Sequence, residues 1–110
     1  MIKSLGLRLM TTGDLPFADH LRTLEGWNQT LEDWQRFLTT EPAGCFVALR
    51  NGVPVGTIVT TVYGSELAWI GMLLVHPDYR SRGIGKTLLE GCIKYLQERK
   101  VRCIKLDASC

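Results

Sequence analysis

Metal-ligand clusters, membrane-length apolar runs and an excess of one charge are all missing from this sequence. Its 110 residues include four cysteines and two histidines. Cys45, Cys92, Cys103 and Cys110 form no C-x-x-C pair and have no nearby histidine. That spacing excludes the common zinc frameworks, so no metal is expected. The cysteines read instead as small hydrophobes in a reducing compartment, with Cys110 at the chain end as the most exposed thiol. No uninterrupted apolar segment is long enough to span a bilayer. The first ten residues, MIKSLGLRLM, lack the apolar run of a secretory leader. A cytoplasmic location without membrane association is therefore expected. Thirteen Lys and Arg against eleven Asp and Glu leave a net charge of +2, too little to argue for a nucleic-acid partner. Repeats, low-complexity tracts and linkers are absent. What is present is ordinary for one globular domain spanning residues 1–110: 45% hydrophobic and 22% charged residues, in a chain long enough to bury roughly two-thirds of its unfolded surface.

Local patterns divide the chain into eight elements. Leu5, Leu7 and Leu9 alternate with Gly6, Arg8 and Met10, the period of a strand. Asp14 suits a helix N-cap and Pro16 a first turn. Leu15, Ala18, Leu21 and Leu24 then carry a helical period that stops at Gly26. Thr30, with Asp33 three residues on, caps a second helix whose apolar face is Leu31, Trp34 and Leu38, and Glu41-Pro42 ends it. CFVAL from Cys45 is a buried strand. Asn51-Gly52 is a two-residue hairpin signal. The segment from Val53 to Tyr63 returns as a strand, with Pro54 marking an unpaired or edge position near its start. A further strand from Glu66 to Val75 ends apolar on both faces, as a central strand does. Ile84, Leu88, Cys92 and Leu96 form the apolar stripe of the clearest helix, and Ile104, Leu106 and Ala108 alternate in a last strand. The order β-α-α-β-β-β-α-β places an α/β fold on a mixed sheet, with a parallel crossover at its end.

Between the last crossover strand and its helix lies RSRGIGKTLLEG, Arg80 to Gly91. A triphosphate-binding loop, G-x-x-x-x-G-K-[ST], needs glycine where Arg80 stands. A dinucleotide fingerprint needs its third glycine where Leu88 stands. Both patterns fail. What remains is a basic turn opening into a helix at two glycines. The first turn of a helix has unsatisfied N–H groups and a partial positive charge. Gly83 and Gly85 let an anion approach the backbone, and Arg80, Arg82 and Lys86 add charge. The result is a pyrophosphate-sized site built mainly from main-chain donors. The plain alternative is a glycine-rich turn with solvated arginines.

Arg80-x-x-Gly83-x-Gly85 matches the [QR]-x-x-G-x-[GA] motif of the GNAT superfamily of N-acetyltransferases, and LLVHPDYRSRGIGKTLLE resembles that family's acetyl-CoA segment. The order of elements before it resembles the family as well. The resemblance implies a GNAT-like acyl-CoA N-acyltransferase fold. It also implies acetyl-CoA as co-substrate and direct transfer of acetyl to the primary amine of a small molecule or peptide. On that basis the coenzyme's pyrophosphate falls to the backbone of Arg80, Ser81, Arg82, Gly83, Ile84 and Gly85, with Lys86 and a hydroxyl contact from Thr87. The pantetheine arm falls to the main chain of Leu73, Leu74 and Val75, where a bulge splays two parallel strands. The amide of Leu74 is the expected oxyanion donor. A module that binds the coenzyme without catalysis is the alternative.

Several positions depart from the family. Trp69 stands where some members carry a catalytic Glu. Glu66 is on the opposite face of the strand and reads either as an exposed carboxylate or as a base. His76, before Pro77, reads as structural rather than as a proton carrier. Trp27, in the link between the first two helices, either walls the acceptor site or lies as a lid on the core. Trp34 reads as core. The resemblance implies a further helix and strand pair after Cys110, with a Tyr acid there that Tyr63, Tyr79 and Tyr95 do not replace. The chain is thus expected to be C-terminally incomplete, an N-terminal piece of a longer domain. An open last strand favours self-association as a homodimer.

Overall fold

The computed structural model describes residues 5–26, 31–63, 66–79 and 83–106. Strand β1 (Leu5–Leu9) leads through a 3-10 turn into helices α1 (Leu15–Glu25) and α2 (Leu31–Thr40). Strands β2 (Cys45–Arg50), β3 (Val53–Tyr63) and β4 (Leu67–Val75) follow, then helix α3 (Ile84–Glu98) and strand β5 (Cys103–Leu106). The five strands form one sheet in chain order; β1 to β4 run antiparallel and β4 to β5 parallel. The element order read from the periodicities is the one observed. The proposed cap at Thr30 and the residues from Asp107 onward lie outside the described residues.

Alternation along the strands sends side chains into two separate layers. On one face Leu15, Ala18 and Leu21 of α1 and Trp34 and Leu38 of α2 pack on Cys45, Val47, Val59, Met72 and Leu74. On the other, Ile84, Leu88, Cys92 and Leu96 of α3 pack on Ala48, Val55, Ile58, Ala68 and Ile70. Fully burying one such aliphatic side chain stabilises by about 1.5–3 kcal/mol. Burial pushes the Cys45 thiol up to about 12 and the Cys92 thiol up to about 11, which keeps both protonated and inert. Cys103 departs from the buried reading: it is exposed on β5. Cys110 lies outside the described residues.

Local signals set the turns. Asn51 and Gly52 have φ of 52° and 82°, the left-handed pair that a two-residue hairpin requires. Gly26 closes α1 at φ 73°, donating to the Arg22 and Thr23 carbonyls. Pro54 pairs with Leu49 beside a register shift in the middle of the sheet. The β3–β4 pairing starts just beyond it, at Gly56↔Val75 and at the bond from the His76 N–H to the Val55 carbonyl, so the missing proline N–H deprives no neighbour.

Asp14 corrects the capping expectation. It occupies the N-cap position of α1, yet its side chain makes no cap bond to the helix. The carboxylate instead accepts from the Thr11 N–H at 2.8 Å and from both terminal nitrogens of Arg8 at 2.7 Å. This fork ties β1 to the start of α1. The hydrogen bonds from Arg8 hold the Asp14 carboxyl below its ordinary value, outweighing burial, which acts the other way. A depressed folded pKa means that the contribution is fully present above the unfolded carboxylate value and is lost as pH falls through the folded one. With the Arg8 side chain 40% exposed, solvent screening reduces the pair to about 1–2 kcal/mol. Asp14→Asn is therefore expected to lower unfolding free energy by that amount at pH 7. The difference from the unaltered chain should shrink as pH falls below about 4 in urea titrations; a difference independent of pH would show that the pair contributes nothing.

Candidate functional site

An irregularity in β4 organises the site. Thr57 pairs with Leu74 and Val59 with Gly71, so β4 carries one residue more than β3 across this stretch. The extra residue is accommodated at Met72, whose φ of 52° is left-handed. A non-glycine residue there costs about 1–2 kcal/mol. Two observed interactions offset it: the Thr57 hydroxyl donates to the Met72 carbonyl at 3.0 Å, and the Met72 side chain is buried. The bulge reverses the facing of the strand. Ala68 and Ile70 point to the α3 layer before it, whereas Met72 and Leu74 point to the α1–α2 layer after it. On its other edge β4 pairs with β5 from Leu67↔Cys103 to Ile70↔Leu106. Leu73 to Val75 lie past the last of these described pairs.

The register also decides which amides face that edge. The His76 N–H donates to the Val55 carbonyl at 2.8 Å, and Leu74, two residues earlier, is opposite Thr57. Backbone groups of a strand alternate in direction with period two. The Leu74 main chain therefore turns toward β3, and its carbonyl stands 3.1 Å from where a Cβ on Gly56 would be. This corrects the expected oxyanion donor: the amides of Leu73 and Val75, not that of Leu74, point to the β5 side. The cause is the bulge, which shifts the alternation by one.

Helix α3 begins beside this edge. Gly83, at φ 78°, is its N-cap. The first helical bond runs from the Thr87 N–H to the Gly83 carbonyl at 3.0 Å. The amides of Ile84, Gly85 and Lys86 precede that bond and have no acceptor among the described residues. Among the described residues nothing lies within 4 Å of a Cβ position at Gly83, and only Val75 Cγ2, at 3.9 Å, approaches one at Gly85. The helix mouth is thus open and sits against the end of β4. The Thr87 hydroxyl donates to the Gly83 carbonyl at 2.9 Å, so its single proton is committed to the helix. Arg80, Ser81 and Arg82 lie outside the described residues, as does Trp27.

Other candidates take local roles. His76 Nδ1 accepts the Asp78 N–H at 3.1 Å and its ring packs edge-on against Tyr79. The Glu66 side chain is 68% exposed and faces Arg102. The Tyr95 hydroxyl donates to the Glu41 carboxylate, which also takes Arg99, and burial is the largest influence raising its pKa. Trp69 is different. With Phe37 of α2, Leu67, Ala68 and Lys105 of β5 it lines a cleft of about 300 Å³. Phe37 and Lys105 escaped sequence reasoning; no local pattern marks them, and only the packing of α2 over β4 and β5 brings them together. Among the described residues, no group of His, Cys, Asp and Glu is arranged to hold a metal, and no helix is long and apolar enough to cross a membrane.

The family model described as "Acetyltransferase (GNAT) family" matches residues 13–109. The chain is 28% identical over 122 residues to an N-acetyltransferase of Methanocaldococcus jannaschii, covering 96% of this chain and 54% of that protein. It therefore spans about half the length of that relative. Among solved structures it resembles Ard1 from Thermoplasma volcanium, with a TM-score of 0.87 at 19% identity over 93% of this chain and 70% of the other. It also resembles a Mycobacterium tuberculosis protein solved in complex with CoA, with a TM-score of 0.81 at 18% identity over 92% and 63%. The chain belongs to the GNAT family of acetyltransferases.

The close seat of α3 on the sheet depends on Gly56. A Cβ there would stand 3.0 Å from Leu88 Cδ1, 3.1 Å from the Leu74 carbonyl and 3.3 Å from Ile84 Cγ2. Gly56→Ala is expected to push the first turn of α3 outward and to destabilise by about 1–3 kcal/mol, as overpacking does. Urea unfolding checks this; a neutral result would mean that the helix sits more loosely than the contacts imply.

Proposed function

We propose that the chain is the coenzyme-binding part of an N-acetyltransferase that moves acetyl from acetyl-CoA to a primary amine. The observation that carries this reading is the set of three amides, on Ile84, Gly85 and Lys86, that precede the first bond of α3 beside a β4 edge whose described pairing ends at Ile70. These groups suit the coenzyme's two ends. Helix-start amides with a partial positive charge suit a pyrophosphate, and the missing Cβ atoms at Gly83 and Gly85 leave room for it. The outward main chain of Leu73 suits the pantetheine arm, which then adds to the sheet edge as a strand would. Membership of the family and structural neighbours solved with CoA or acetyl-CoA support the choice of ligand.

When bound, the coenzyme supplies an activated acyl carbonyl. The protein's part is to hold and polarise it. In this reading the Leu73 amide donates to the carbonyl oxygen as negative charge builds there; one such donor is worth about 3 kcal/mol. Lys86, exposed at the helix mouth, adds a cation to the phosphate side, as Arg80 and Arg82 of the motif do by their type, and Ser81 offers a main-chain donor. Thr87 drops out of the phosphate set, because its proton already serves Gly83. The acceptor is a small molecule or peptide carrying the amine, and the protein works in the cytoplasm.

Gly85 gives the cleanest test, because its backbone is not left-handed and a side chain there meets only Val75. Gly85→Ala is expected to leave stability equal or raised by up to about 1 kcal/mol and to weaken acetyl-CoA binding less than a larger side chain does. Gly85→Glu is expected to remain folded, as read by circular dichroism, and to weaken acetyl-CoA binding at least tenfold in calorimetry. Unchanged affinity in a folded Gly85→Glu protein would contradict the placement of the phosphates.

A further inference from the structure

Trp69 occupies an unusual position on its strand. A Cβ added to Gly71 would fall inside the Trp69 indole, so the ring is drawn along β4 over Gly71 toward the bulge. It holds that pose against Phe37, with ring centroids 5.8 Å apart and planes inclined by 34°. Beside it, Lys105 is the direct partner of Trp69 across the parallel pairing and, among the described residues, the one charged residue lining the cleft of about 300 Å³. The cleft is large enough for a single aromatic side chain, and its walls are mostly apolar and aromatic.

We propose that Trp69, laid over Gly71, is a specificity-determining residue of the acceptor site. The acceptor it selects is a peptide-length amine whose far end carries a flat apolar group with a carboxylate beside it. The inference rests on the acetyltransferase reading and deepens it. The charge pattern fixes the direction of the acceptor. Among the described residues no carboxylate lines the cleft and Lys105 does, so an ammonium is disfavoured there and an anion favoured. The amine therefore points away, along β4 toward the Leu73 amide. Gly71 and Trp69 precede Leu73 by two and four residues, roughly 7 and 13 Å at the rise of a strand. Two to four extended peptide units span that distance. The flat group stacks on the indole, and its carboxylate meets Lys105 at the rim.

The probes are glycyl-glycyl-phenylalanine, the same peptide as its C-terminal amide, and glycyl-glycyl-lysine. Each is titrated calorimetrically into the unaltered chain, with and without saturating CoA. The acid is expected to bind at least tenfold tighter than either of the other two. Lys105→Gln, a change on an exposed side chain, is expected to erase the preference for acid over amide while CoA affinity stays the same. Gly71→Ala, which displaces the indole, is expected to weaken binding of the acid at least tenfold. Equal binding of acid and amide, a preference for the lysine peptide, or a preference that survives Lys105→Gln overturns the proposal, whatever CoA does. Failure of CoA itself to bind, with the peptide preference intact, overturns instead the reading of the α3 mouth.

Discussion

Met72 sits at φ 52° in the middle of a strand between two hydrophobic layers, and the geometry around the site follows from that one left-handed residue. Before it, the even-numbered residues of β4 face α3; after it, they face α1 and α2. The shift turns the Leu73 amide toward the β5 side and the Leu74 main chain toward β3. Local propensity does not ask for a methionine in this conformation, so the surroundings must impose it. The Thr57 hydroxyl on the Met72 carbonyl and the buried methionine side chain are what hold it. Strain of this kind persists where neighbouring structure over-determines the backbone.

A second constraint sets α3 against the bulge. Gly56 gives up a side chain in the sheet so that Ile84 and Leu88 can approach, which brings the helix mouth to the end of β4. The two halves of the site are then one object. Donors at the helix start and donors on the strand edge are fixed to the same rigid packing layer, built by Ile84, Leu88, Cys92 and Leu96 against the sheet. Preorganised donors of this sort do not have to reorient when charge arrives. The Glu41 carboxylate, shared by Tyr95 and Arg99, secures the far end of the same helix to the α2–β2 connection.

The architecture was legible in the sequence because periodicity is a local signal. The apolar stripe from Ile84 to Leu96, the alternation around Val55 and Ile70 and the Asn51-Gly52 turn each declare an element without reference to the rest of the chain. The motif around Gly83 and Gly85 likewise marks a helix start with room for an anion. What was not legible depends on register. A bulge was expected near Leu73, but its residue and its effect on facing follow from pairing with Thr57 and Val59, which lie 13 or more positions earlier in the chain. An amide's direction changes with a shift of one residue, and so the Leu74 amide faces β3 rather than the β5 side. Asp14 holds the cap position expected of it, but its side chain bonds elsewhere for a related reason. Its type suits a cap, but a cation from β1 competes for the same oxygens.

The proposed acceptor side stands on packing alone. Trp69, Phe37 and Lys105 come from three elements and share no sequence pattern, yet together they give the cleft its shape and sign. The central claim, however, concerns the helix mouth and the strand edge beside it, and amide-resolved NMR of ¹⁵N-labelled protein during an acetyl-CoA titration tests it most directly. The account predicts that the resonances of Ile84, Gly85, Lys86 and Leu73 move together with a single affinity, while Leu74 and the β1–β2 amides stay in place. Saturation by acetyl-CoA with those four resonances unmoved would contradict it.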